Sequence, residues 1–325
     1  MKIRFFPALA ASALSLLGAG ACLAADDLPS GKPITIIIGF VAGGASDTST
    51  RLVAKKVSEN IGQPVVVENR PGAGATIATQ YVANSKPDGS TLILGTIGPI
   101  AVAPHLMQLG YDPIHDLAPI TMGVNFPNVL VVHPSLNVKT LQEFIDLAKK
   151  EPGKLTYAAT GVGSASHLAG ELFNQRAGVE ILHVPYKGGA AAMVDLLGGR
   201  ISAYYSTPST AEPHIKSGKL IALATTGLKR SEMFPDIPTI AESGYPGFNA
   251  SNWYAYLAPA KTPEATLNRL NTEFVRALND PEVREQLAQH GLVPDPMTRQ
   301  ELADFIAAES KTWATVVKER NIKIE

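Results

Sequence analysis

The sequence predicts an α/β chain of two domains, each a mixed, mostly parallel sheet flanked by helices. Three observations carry this. Short apolar runs alternate with segments of helical spacing at the interval of βαβ units. Glycine turns join run to helix in both halves. Everything after Pro263 is helical in pattern and needs an earlier sheet to cover. The 325 residues, 45% hydrophobic and 18% charged, suffice for two cores. A formal net charge of -1 provides no basic field for nucleic acid or anionic lipid, and Lys55 and Lys56 read as a solvated helix face.

Taken in order, Lys2 and Arg4 precede an apolar run from Phe5 to Leu23 and the small residues around Cys22-Leu23-Ala24-Ala25, the pattern of a signal peptide over residues 1–25. Cleavage after Ala24 or Ala25 is expected. Its rival is a lipoprotein acylated at Cys22, although Ala19 stands where a lipobox prefers leucine. Export to the periplasm follows from either, and a single cysteine supplies no disulfide framework. No other stretch is long and apolar enough to span a membrane.

Ile34, Ile36, Ile37 and Ile38 form the first strand, and Gly39 to Thr48 the turn into a helix carrying Leu52, Val53 and Val57. Such a turn aims backbone N–H groups and the positive end of a helix at one point, which should attract an anion. Pro64 to Asn69 is a second strand, followed by Arg70-Pro71-Gly72-Ala73-Gly74-Ala75-Thr76 and a helix to about Asn84. Thr91 to Leu94 is a third, ending at Gly95-Thr96. Ligands of open parallel sheets sit beyond the carboxyl ends of strands, where Gly43, Gly44, Gly95 and Thr96 fall.

Val129 to Val132 is read as the crossing into the second domain, and Thr140-Leu141-Gln142-Glu143 as a capping box opening a helix to about Lys150. Two sibling turns follow strands there: Thr160-Gly161-Val162-Gly163-Ser164 and Tyr186-Lys187-Gly188-Gly189. Strands at Ile201–Tyr205 and 220–224 complete this half, and Trp253 to Leu257 returns to the first domain. Helices are expected at 263–279, 281–290 and 298–320, the last with Leu302, Phe305, Ile306, Trp313, Val316 and Val317 as a core-docking face. The expected division is 26–128 with 250–325 as domain 1 and 129–249 as domain 2, joined by two crossing segments that form a hinge.

The series GFVAGGASDTSTRLVA, VVVENRPGAGATIATQYVA, KPDGSTLILGT, YDPIHDLAPI, YAATGVGSASHLAGELF, HVPYKGGAAAMVDLLGG and FPDIPTIAESGYPGF resembles the Bug or TctC family, the extracytoplasmic solute-binding receptors of tripartite tricarboxylate transporters. The likeness covers essentially the whole mature chain. It implies a two-domain periplasmic-binding-protein (flytrap) fold that closes around a small carboxylate and delivers it to membrane permease subunits, as a monomer without cofactor. In relatives the carboxylate is held by the first glycine turn and the second domain's turns. Two departures stand out: Ala42 replaces the proline usual before the glycines, and Ser206 stands where many relatives carry an aspartate able to meet an ammonium group. A plain mono- or dicarboxylic acid is therefore expected over an amino acid.

The ligand-binding candidates are Phe40, Gly43, Gly44, Asp47, Gly95, Thr96, Thr160, Gly163, Ser164, His167, Tyr186, Lys187, Gly188 and Ser206. Several have plainer readings. Asp47 would repel a carboxylate and suits a helix cap or loop organiser. Phe40 either lines the site or packs beneath the turn, Lys187 is a solvated lysine or a cation for the ligand, and Trp253 packs in the core or hinge or reaches the cleft. Ser164 and His167 tempt a hydrolase reading, but no G-x-S-x-G elbow or oriented Ser-His-acid set is present; Ser164 suits a hydroxyl donor to an anion, and His167 either packs in the first helical turn or reaches the site. Gly72-Ala73-Gly74 lacks the third glycine of a dinucleotide fingerprint, and the histidines show no metal-ligand spacing. No enzyme activity and no metal are expected; the alternatives are a ligand sensor presenting its closed form to a signalling partner and an exported hydrolase.

Overall fold

The structure, a computed structural model, describes Met1 and residues 28–29, 31–186, 188–319 and 321–322. The segment expected to be a signal peptide, from residue 2 and including Cys22, lies outside the described residues, as does Lys187.

The chain opens with β1 (Ile34–Ile38), whose four isoleucines are at most 1% exposed. A strand apolar on both faces belongs inside a sheet covered by helices on each side. It leads through the first glycine turn into α1 (Ala45–Ile61), closed by Gly62 in the left-handed conformation (φ 66°). Then come β2 (Val65–Asn69), α2 (Thr76–Ala83) and β3 (Thr91–Thr96), and both strands pair parallel with β1. Next is β4 (Leu117–Phe126), a strand the sequence pattern does not announce because Pro119 and Gly123 interrupt it.

The chain then crosses at Pro127 and Asn128 into a second sheet. Its elements are β5 (Val129–Val132), α3 (Leu141–Lys150), β6 (Thr156–Ala159), α4 (Ala165–Ala177), β7 (Leu182–Pro185), α5 (Gly189–Leu197), β8 (Ala203–Ser206), α6 (Pro208–Lys216) and β9 (Ile221–Thr225). The expected capping box opens α3: Thr140 Oγ1 accepts the Glu143 N–H at 3.2 Å, and Glu143 Oε2 accepts the Thr140 N–H at 3.1 Å. A second crossing returns to the first sheet through β10 (Asn252–Pro259), and α7 (Glu264–Leu278), α8 (Pro281–Gln289), β11 (Val293–Pro294) and α9 (Arg299–Glu319) finish the chain.

Strand order is β11-β4-β10-β3-β1-β2 in the first sheet and β7-β6-β8-β5-β9 in the second. The α/β class with two mixed sheets is the one expected, but the pairing departs from mostly parallel. Among the strand pairs of the described residues, β2-β1-β3 and β7-β6-β8 are parallel; β10, β4, β11, β5 and β9 add antiparallel pairs. The reason is direction of entry. Strands fed by a crossover helix run toward the junction between the sheets, whereas β5 and β10 start from it.

One apolar cluster, with Ile93, Leu257, Leu130, Tyr205, Phe173 and Trp313 among its members, runs through both sheets. On α9 the predicted stripe is buried at Leu302, Ile306, Trp313, Val316 and Val317, with Phe305 partly so. Trp253 is core: it is 1% exposed, meets Phe305 edge-on at 5.6 Å, and shares Glu309 Oε2 with Trp313 through two indole N–H bonds of 3.0 and 3.2 Å.

Candidate functional site

The first glycine turn stands at the carboxyl end of β1. Gly43 has φ +86°, a conformation that suits glycine, and residues 41–44 are exposed. Asp47, 5% exposed, organises this turn from beneath: Oδ2 accepts the Gly43 N–H at 3.0 Å, while Oδ1 accepts from Arg51 Nε and from Asn69 Nδ2, each at 3.0 Å. Burial opposes its ionisation, but the bonds from Arg51, Gly43 and Asn69 outweigh it and hold the carboxyl below its ordinary range. Asn69 also donates to the Phe40 carbonyl at 3.0 Å. Phe40 is half-buried and packs on the α1 side of the first core.

A second turn, which sequence reasoning weighed only as an incomplete dinucleotide fingerprint, lies against the first. Ala73, Gly74 and Ala75 all have positive φ (44°, 62° and 74°), and a Cβ on Gly39 would stand 2.2 Å from Ala75 Cβ. Only glycine at 39 lets the two turns touch. The signal was the run of small residues at 72–75, which gives no sign of its left-handed geometry.

In the other half, the turn after β6 is held by its own side chains. Ser166 Oγ accepts the Thr160 N–H at 3.0 Å and lies 3.1 Å from Ser164 Oγ. Ser164 caps α4 by accepting the His167 N–H at 3.4 Å. His167 is buried, and its Nδ1 accepts the Gly163 N–H at 3.0 Å, so the ring proton sits on Nε2. It stacks on His183 at 4.1 Å, and burial pulls the pKa of His167 down to about 4. His183 also falls to about 4, through burial and then His167. Ser164 is thus paired with Ser166 and a backbone amide, and His167 Nδ1 with Gly163, an arrangement for fixing a loop.

In the third turn, Tyr186 Oη donates to Asp195 Oδ2 at 2.7 Å, and burial with Asp195 pushes its phenol up to about 12. Gly188 (φ 147°) caps α5 with no side-chain bond and open space where a Cβ would stand. Gly44 likewise caps α1 without a side-chain bond and with nothing within 4 Å of a built Cβ.

The two halves meet at these turns. A Cβ on Gly98 would lie 3.2 Å from the Gly163 carbonyl oxygen and 3.9 Å from that of Gly74, and one on Gly74 would lie 3.9 Å from the Val162 carbonyl oxygen. Three candidates are packed or buried. Gly95 is a packing glycine, since a Cβ there would be 2.5 Å from Leu257 Cδ1. Thr96 is 4% exposed and pairs with Tyr254 on β10. Ser206 is fully buried and donates to the Thr207 carbonyl at 3.1 Å. The amides also sort themselves. The N–H groups of Gly43, Thr160, Gly163, Ser164 and Tyr186 are all taken within the protein. A helix leaves its first-turn N–H groups unpaired internally, so an anion is best met by the first turns of α1, after Gly44, and α5, after Gly188.

A sequence profile described as "Tripartite tricarboxylate transporter family receptor" matches residues 49–322. The chain is 40% identical over 314 residues to Protein BugT of Bordetella pertussis, covering 96% of each. Among solved structures it is similar to R. palustris Rpa4515 with adipate, at 34% identity and TM-score 0.85, over 91% of this chain and 99% of that one. It is also similar to MatC from Rhodopseudomonas palustris with bound malate, at 32% identity and TM-score 0.81, over 88% and 98%.

Proposed function

We infer the function from one premise: the chain belongs to the TctC family, the receptors of tripartite tricarboxylate transporters. We propose that it captures a small organic carboxylate, a mono- or dicarboxylic acid, in the cleft between its two sheets. Residues 26–128 with 250–325 form one lobe and 129–249 the other, closing on the acid and presenting it to membrane permease subunits. The protein acts as a monomer in the periplasm, reached through the signal peptide of residues 1–25, and leaves its ligand chemically unchanged.

The observation that carries the reading is the approach of Gly98 and Gly74 in one half to Gly163 and Val162 in the other; the starts of α1 and α5, at Gly44 and Gly188, have no side-chain caps. Helix N-termini favour a carboxylate through their dipole and free amides. Phe40 and the hydroxyls of Thr160 and Ser164 line the same region in this reading, with Lys187 beside Gly188 as a cation. Asp47 and His167 shape the turns from behind. The adipate and malate named with two relatives support a dicarboxylate as the first class to try. Three or four charge-assisted hydrogen bonds at roughly 1.5–3 kcal/mol each, less the costs of ordering and closure, give affinities on the order of micromolar.

Calorimetric titration of the mature protein with adipate, malate, their monocarboxylate counterparts and aromatic acids tests this. Saturable binding of at least one acid, recovered intact, is expected; no heat from any of them would overturn it. Mass spectrometry of ligand released from protein as purified would identify the natural one.

A further inference from the structure

The two chain crossings are tied to each other by one side chain outside every glycine turn. Thr226 follows β9 directly and is fully buried. Its Oγ1 accepts the Asn128 N–H of the first crossing at 2.9 Å and donates to the Ala250 carbonyl of the second at 3.0 Å. Its backbone repeats the link: the Thr226 N–H donates to the Asn128 carbonyl, and the Ala250 N–H to the Thr226 carbonyl, each at 2.9 Å. The next residue is wedged in the same place, for a Cβ on Gly227 would stand 3.2 Å from Pro127 Cβ and 3.7 Å from Ser251 Oγ.

We propose that Thr226 is the positioning residue that makes the two crossings turn as a single axis, and that Gly227 leaves them room to do so; the consequence for ligand capture rests on the receptor reading above. Four hydrogen bonds on one residue leave neither crossing free to rotate alone. Two more groups at this junction, Asn128 Nδ2 and Thr225 Oγ1, are buried without a hydrogen-bond partner. A residue bonded to both crossings is placed to couple them whenever the angle between the sheets changes.

The test places spin labels on the two halves of the mature protein, at K55C on α1 and V194C on α5, both exposed positions, and compares distance distributions without ligand. Wild type and T226S, which keeps the hydroxyl, should give the same distribution. T226V, nearly isosteric but unable to bridge, should broaden it or add a second population several ångströms away. G227A should shift the mean by crowding Pro127. In titrations with adipate and malate, T226V should weaken binding about tenfold and T226S should restore it. T226V and G227A distributions identical to wild type would overturn the proposal, and G227A alone decides it should T226V fail to fold. Should wild type bind neither acid, the receptor reading falls while the label distances still decide the coupling.

Discussion

Asp47 and His167 occupy matching places behind their turns, each using a side-chain acceptor to hold one glycine N–H. Removing the charge of Asp47 while keeping its shape exposes this. D47N weakens the bonds from Gly43 and Arg51 and should cost about 1–3 kcal/mol at pH 7 by urea denaturation. Because its folded pKa lies below the ordinary 3.8, the stabilisation is complete above that value and is lost as pH falls through the lowered one. The penalty of D47N should therefore shrink in strong acid. His167 has a linkage of the same sign at higher pH. Its imidazole drops from 6.5 to about 4 on folding, so between those values the unfolded chain binds the extra proton and stability rises with pH. Wild type should lose roughly 3 kcal/mol from this group between pH 7 and pH 4. H167Q, whose amide oxygen can still accept from Gly163, should lack that share of the slope; parallel unfolding curves for the two proteins across this range would contradict the assignment. The local spacing of Asp47 and His167 to their turns was legible in the sequence. That both face inward was half legible, from the repulsion a carboxylate would feel at Asp47 and from first-turn helix packing as one reading of His167.

At the level of elements, what could be read was what is decided within a few residues. The capping box at Thr140, the isoleucine run of β1 and the apolar stripe of α9 all appear where local pattern puts them. What could not be read depends on distant partners. In β4, Gly123 goes unpaired where the register with β10 shifts, a defect that hides the strand's period. The left-handed turn at Ala73 and Ala75 exists because Gly39, over thirty residues earlier, gives it room. Alanine rarely adopts that conformation unaided, and no composition signal announces it. G39A tests the dependence. Its Cβ would overlap Ala75 Cβ, so one turn must move, at a cost of about 1–3 kcal/mol. Both stability and carboxylate affinity should fall together, whereas T140A, at the cap of α3 in the other half, should cost about 1 kcal/mol of stability and leave affinity alone.

For the whole molecule, the two lobes can act as a receptor only if binding and folding are separable, and Gly44 is the place to separate them. Its φ of -83° is open to any residue, and a Cβ there meets nothing within 4 Å. Valine at 44 should thus leave the fold untouched while filling the space before the first turn of α1, where the proposed ligand sits. A ligand at a hundredfold its dissociation constant stabilises the folded state by about 2.7 kcal/mol. For a chain of this size that corresponds to a rise in Tm of roughly 4 °C. Wild type should show this rise with a bound acid, and G44V should melt within about 1 °C of unliganded wild type yet show no rise. Two other outcomes would each move the argument. A G44V protein that keeps the full ligand shift would transfer recognition to the α5 start beside Gly188. One that melts early without ligand would mean that the exposed turn carries folding energy, and that its openness is not reserved for a ligand.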